Sequence, residues 1–260
     1  PVEAIALWDH IVTRLAEMEI SVFVIAGNHD GAERLAAGRS FYASKGIHIW
    51  GTPDQCIAPY IWEKEGQSIA ICPMPFAEPR LVFDMLSRQG VLSLEADRSE
   101  FSYTGKGDMT EAEFASDDLF VDLVEEEQAK SFLKTDYHET YRQWADYLLS
   151  QVPRGMPSIA ISHAFVAGSV AGGSERQVSV GGSDFVKPVV YRNFSYAALG
   201  HIHGSQGAGE EYIRYSGSPL KYSFDEVKQE KSFTIIDMDD QGAVELTYIP
   251  VRTRNDVVVL

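Results

Sequence analysis

Residues 2 to 19 place Ile5, Trp8, Val12, Leu15 and Met18 at steps of three and four, the spacing that gathers apolar side chains on one face of a helix, and Pro1 suits its first turn. The run Ile20-Ser21-Val22-Phe23-Val24-Ile25-Ala26 comes next. It is β-branched, of strand length and almost continuously hydrophobic, which predicts a buried strand covered on both faces. After Gly27 to Asp30 a short helix is expected as far as Ala37. That order of strand, loop and helix is the signature of a layered α/β domain. Short strands are predicted at 47–50, 57–62 and 68–72, interrupted by Pro73, Pro75 and Pro79, with a helix over about 80–90.

Further on, Leu133, Tyr137, Tyr141, Trp144 and Leu148 recur at four, four, three and four. This predicts a long helix from near Thr110 that stops between Gln151 and Pro153, with its aromatic residues in the core rather than stacking on bases. Ser158 to Ser162 reads as a second buried strand, ending at His163. Residues 164–183 hold five glycines and several serines, and predict a long surface loop. A third strand, Ala197-Ala198-Leu199-Gly200, leads into His201, and strands at 211–216, 232–238 and 243–250 are expected to form a meander with turns near Gly209 and Gly242. One main domain over 1–250 is expected, with 251–260 starting a passage to a further domain.

Bulk properties narrow the class. At 260 residues and 45% hydrophobic content the chain can bury a sizeable core. No apolar run approaches the roughly 20 residues of a membrane span, and no signal-peptide pattern follows Pro1. Cys56 and Cys72 form neither a disulfide framework nor a thiolate metal motif, so a reducing, cytoplasmic setting is expected. The net charge of −16 opposes a grip on a polyanion, but residues 95–127 carry 12 acids and 2 bases, leaving −6 for the other 227. That segment reads as a solvated acidic face.

Candidate chemistry sits at three places: Gly27-Asn28-His29-Asp30, Ser162-His163, and Gly200-His201-Ile202-His203. Each follows an apolar strand, where the loops of an open α/β sheet line a common crevice, and together they hold four of the seven histidines. His201 and His203 are two residues apart, so in an extended segment both rings lie on one side. Imidazoles with the amide oxygen of Asn28 make a mixed nitrogen and oxygen donor set suited to Zn, Fe or Mn-class ions. His10, His48 and His138 read as structural, and the glycine-rich loop at 167–182 lacks the Gly-Lys-Ser ending of a phosphate loop.

These residues resemble the third, fourth and fifth motifs of the calcineurin-like metallophosphoesterases. Within that superfamily more of the chain is similar to the SbcD-type nucleases of DNA repair. The likeness lies in Ser174-Glu175-Arg176, Val180-Gly181-Gly182, Ala198-Leu199-Gly200-His201-Ile202-His203, Gln206, Tyr215-Ser216-Gly217-Ser218-Pro219 and Ser223-Phe224-Asp225-Glu226. The resemblance implies a layered α/β sandwich, mixed central sheets flanked by helices, and a two-metal phosphodiesterase that uses manganese. It implies that Asn28, His163 and His201 bind one ion, that His203 helps bind the second, and that His29, oriented by Asp30, contacts the scissile phosphate or protonates the leaving oxygen. An SbcC-type ATPase partner, a DNA substrate and a homodimer come with it. The glycine-rich loop follows His163 and is a candidate wall of a DNA cleft, with Arg176 the first base to test as a contact to DNA and a salt bridge to a nearby acid as the equal alternative.

The family's first two motifs, an Asp-x-His and a Gly-Asp, belong upstream of the helix at 2–19 and are absent there. An incomplete metal set is therefore expected, with the 260 residues inactive on their own. Two other readings compete. A phosphatase or phosphodiesterase acting on a small molecule suits the acidity better, and a non-catalytic scaffold for an ATPase suits the missing ligands.

Overall fold

In the computed structural model the described residues are 2–91, 136–172, 185–253 and 256–257. The elements in chain order are α1 (Val2–Glu17), β1 (Val22–Ile25), α2 (Ala32–Leu35), α3 (Arg39–Ala43), β2 (Ile47–Trp50), β3 (Tyr60–Lys64), β4 (Gln67–Met74), α4 (Pro79–Arg88), α5 (Tyr137–Ser150), β5 (Ser158–His163), β6 (Tyr196–Gly200), β7 (Gln206–Ala208), β8 (Glu210–Tyr215), β9 (Ser232–Met238) and β10 (Val244–Pro250). They form the mixed α/β architecture expected, with one multistranded mixed sheet and helices packed against it.

The main sheet has six strands in the order β3-β4-β5-β6-β8-β7. Its centre, β4, β5, β6 and β8, is parallel, while β3 and β7 close the two edges antiparallel. β1 and β2 form a separate parallel pair. Period-two alternation assigns the side chains of β1: Val22 and Val24 pack with Val12, Ile47 and Ile49, whereas Phe23 and Ile25 face the main core. Both faces are thus covered, as its unbroken hydrophobicity predicts. The strand is only half-buried because the sheet it belongs to is two strands wide.

Four expectations need correction. The stripe on α1 is buried only in its middle, at Val12, while Ile5 and Met18 are 69% and 61% exposed, since the narrow β1-β2 pair gives the helix ends nothing to cover. β4 does not stop before Pro73 but runs to Met74. β3 ends opposite Ile71, so Pro73 lies where β4 keeps one neighbour, and a missing N–H is tolerated there. The meander is two hairpins in different sheets: β7-β8 turns at Gly209 on the main sheet, and β9-β10 turns at Gly242 by itself. In the predicted loop at 164–183, Ala164 and Val166 are buried, and Val166 bridges to Val186. Residues 173–184, the acidic stretch and the stretch from Thr110 to 135 lie outside the described residues.

The main core joins α4 and α5 to the sheet. Tyr141, Trp144 and Leu148 are fully buried, which settles their role as core. Asp136 caps α5 by accepting from Glu139 N at 3.1 Å. Buried tyrosine hydroxyls pin the segments leaving the sheet: Tyr215 donates to Ala164 O at 2.7 Å and accepts from Val166 N at 2.8 Å, and Ser162 Oγ shares a 2.8 Å bond with Tyr191. The lining of the sheet's carboxyl edge is fixed by these bonds.

Candidate metal centre

The carboxyl ends of β1, β5 and β6 converge, and each brings one of the three polar motifs. β1 ends at Ile25, and the carbonyl of the next residue, Ala26, accepts from Phe76 N at 2.9 Å, tying this strand end to the segment that leaves β4. The chain then turns at once. Asp30 N donates to Gly27 O at 3.2 Å, and Gly27 N donates to Asp30 Oδ2 at 2.7 Å. Asp30 therefore stabilises the turn that carries His29, and its carboxylate bonds to Gly27 rather than to the His29 ring. His29 is exposed, whereas Asn28 is drawn inward.

Asn28 Oδ1 lies 3.0 Å from His163 Nε2. The His163 ring is wedged between two glycines. A Cβ on Gly27 would stand 2.7 Å from His163 Cε1, and one on Gly200 would stand 2.9 Å from Nδ1, both closer than real Cβ contacts allow. Glycine at both positions is thus demanded by the ring rather than by backbone conformation. Burial, reinforced by the neighbouring His201 and His29, holds His163 down at about 3. The ring stays neutral and keeps one nitrogen lone pair for a ligand.

His201 stands across from it, the two ring centroids 5.4 Å apart and nearly perpendicular. Its backbone has φ +111°, a region that side-chain-bearing residues rarely enter. Strain of this kind persists where surrounding structure enforces it, and here Ile202, buried just beyond, anchors the turn. His203 follows on a different footing. Its Nδ1 is 2.9 Å from the fully buried carboxylate of Glu226.

Does this donor set suit a divalent ion? Two donors bound at right angles to one ion at about 2.1 Å stand about 3.0 Å apart, which is the Asn28 to His163 separation. As a hydrogen bond that contact needs a proton on Nε2; as an edge of a coordination shell it needs the lone pair. The residues fit. Among the described residues, no three His, Cys, Asp or Glu side chains gather as a metal-binding group. Two histidines and an amide oxygen make up the set found.

Other candidates fall elsewhere. Arg176 lies outside the described residues, as does Gly107-Asp108. One Asp-x-His does occur in the chain, Asp136-Tyr137-His138, and it opens the helix α5. Asp136 is spent as the cap, and His138 Nδ1 accepts from Lys187 N at 3.3 Å. His48, half-buried, stacks with Phe23 at 5.3 Å, in keeping with a structural role. Cys56 and Cys72 are free buried thiols, and burial pushes Cys72 up to about 12, so neither offers a thiolate. Glu226 and Lys231 were not legible as a buried pair, because nothing local separates Glu226 from the exposed acids beside it.

No protein-family model matches the chain. It is similar to the SbcD subunit of the SbcCD nuclease of Staphylococcus epidermidis, 25% identical over 263 residues that cover 99% of this chain and 57% of the relative. It is also similar to the SbcD subunit of the SbcCD nuclease of Bacillus subtilis, 29% identical over 219 residues that cover 83% of this chain and 46% of the relative. The chain spans about half the length of these curated relatives and is SbcD-like across nearly all of its own. No helix among the described residues is long and apolar enough to cross a membrane.

Proposed function

We propose that this SbcD-like chain is the metallophosphoesterase core of a DNA repair nuclease, which hydrolyses phosphodiester bonds at DNA ends and hairpins together with an SbcC-type ATPase. The observation that carries the reading is the convergence of Asn28, His163 and His201 at three strand ends, with a neutral His163 fixed between two glycines. In this reading Asn28, His163 and His201 hold one manganese ion and His203 contributes to a second. Bound divalent ions supply activation of the attacking water and neutralise charge that builds on the phosphate.

The chain's own residues do the rest. Gly27 and Gly200 keep the His163 ring in one place, and the Asp30 carboxylate closes the turn on which His29 stands exposed. From there His29 can hydrogen-bond the scissile phosphate or give a proton to the departing oxygen. Residues 1–250 form the phosphoesterase domain, and 251–260 lead toward a further one. The protein works in the cytoplasm as a homodimer, a state supported by exposed apolar residues on α1, among them Ile5, Leu7 and Ile11. Arg176 contacts DNA.

The test is manganese-dependent cleavage of a labelled DNA hairpin by the full-length gene product and by these 260 residues, alongside small phosphate esters. Hairpin cleavage by the full-length protein that is lost in His163→Ala and His201→Ala supports the reading. The net charge of −16 favours the second reading, a small-molecule phosphodiesterase. Turnover of small esters far above that of DNA would decide for it.

A further inference from the structure

His203 is braced from behind by a buried ion pair. Glu226 Oε1 meets His203 Nδ1 at 2.9 Å, while its Oε2 accepts from Lys231 Nζ at 2.8 Å and from Tyr222 N at 3.1 Å. Both charged residues are buried, Glu226 fully and Lys231 to 6% exposure. Lys231 Nζ also stands 2.9 Å from His203 O, 2.9 Å from Ser218 Oγ and 2.7 Å from Gln229 Oε1, so that with Glu226 four acceptors share its three protons. Ser218 N donates to the same His203 carbonyl at 3.0 Å. Ring and main chain of one histidine are thus held by a single Glu-Lys pair.

Such a pair is a poor device for stability alone. Taking two charges out of water costs about as much as their attraction returns, and apolar residues of the same size often do better. What the pair adds is chemical. With Lys231 and Tyr222 donating to its other oxygen, Glu226 Oε1 acts on the ring as an acceptor, so the shared proton belongs on Nδ1. The lone pair then resides on Nε2, the form in which a histidine binds a metal ion.

We infer that Glu226, backed by Lys231, is the positioning residue that fixes His203 as its Nδ1–H tautomer and so presents Nε2 as a metal-binding nitrogen. The inference rests on the reading of His203 as a ligand, and the two can be separated. In metal-free, 15N-labelled full-length protein at pH 8, long-range proton–nitrogen correlation reads the tautomer directly. The expected signature for His203 is a protonated Nδ1 and an unprotonated Nε2. A proton on Nε2, or on both nitrogens, overturns the inference, and needs no variant that could misfold.

Glu226→Gln has a single oxygen, which the donors Lys231 Nζ and Tyr222 N claim, so its NH2 group faces Nδ1 and the signature should move to a protonated Nε2; an unchanged signature counts against the role of Glu226. The double variant Glu226→Met with Lys231→Met removes both charges together, so no lone buried charge is left to unfold the chain. It should lose the Nδ1–H form and bind manganese about 10- to 100-fold more weakly. If it keeps both the tautomer and the affinity, the role assigned to Glu226 is refuted. If wild-type His203 shows the expected tautomer but the full-length protein takes up no manganese, the ligand reading of His203 is what fails.

Discussion

Gly27→Ala tests the geometry of the centre without removing any ligand. The added Cβ would sit 2.7, 3.0 and 3.2 Å from three atoms of the His163 ring, so it meets the ring face rather than one flexible tip. Carbon pairs are comfortable at about 3.5 Å, and the ring must therefore retreat by about 0.8 Å. Gly200 blocks that retreat from the Nδ1 side. Overpacking of this kind costs about 1–3 kcal/mol, against a gain of about 0.4–1 kcal/mol from stiffening the unfolded chain. The net expectation is a loss of about 1–2 kcal/mol in denaturant unfolding of the metal-free protein. The decisive measurement is a double-mutant cycle with His163→Ala. Without the ring the new methyl has room, so Gly27→Ala should become neutral or slightly stabilising, and the coupling should exceed 1 kcal/mol. A coupling below about 0.5 kcal/mol, the scatter of independent sites, would mean that the ring is not confined between the glycines.

Three further outcomes follow from the same structure. At His201, φ +111° strains any residue with a Cβ, so His201→Gly should be more stable than His201→Ala by about 1 kcal/mol in chemical denaturation, although both lose the imidazole; equal stability would dismiss the strain. His163 is held at about 3 when folded, against an ordinary value of about 6.5, so between these pH values the unfolded chain takes up a proton that the native site refuses. Its effect is absent above pH 6.5 and destabilises by up to about 1.4 kcal/mol for each unit of acidification below it, in chelator-treated protein. His163→Gln should flatten that slope, and an unchanged slope would assign the acid sensitivity to other groups. Finally, Ile5→Glu combined with Leu7→Glu should convert a dimer to a monomer by light scattering while shifting unfolding by less than about 1 kcal/mol, since both residues are exposed on α1; a wild type that is already monomeric refutes the dimer.

How far the site could be read from residues alone depends on which interactions are local. The strand ends were legible because β1, β5 and β6 are apolar runs closed by polar motifs, and period-two alternation in β1 meets a core on each side. Elements with weak local signals were not. α3 spans only Arg39–Ala43 and is entered through Gly38 at φ +75°, and β7 is three residues containing a glycine, made a strand by the turn at Gly209. The glycines at 27 and 200 stand in the polar motifs without a local reason, since neither has a positive φ; the reason for them is the His163 ring, a residue distant in the chain. The Glu226-Lys231 pair lay further out of reach. Glu226 follows another acid in a three-residue turn, and Lys231 precedes an alternating, half-exposed strand, so both carry the pattern of surface charges. Burial of the pair arises only when the segment after β8 folds back beneath His203. Ligands are thus announced by the strands that carry them, whereas the groups that fix a ligand's proton are brought in by chain topology and look locally like ordinary surface residues.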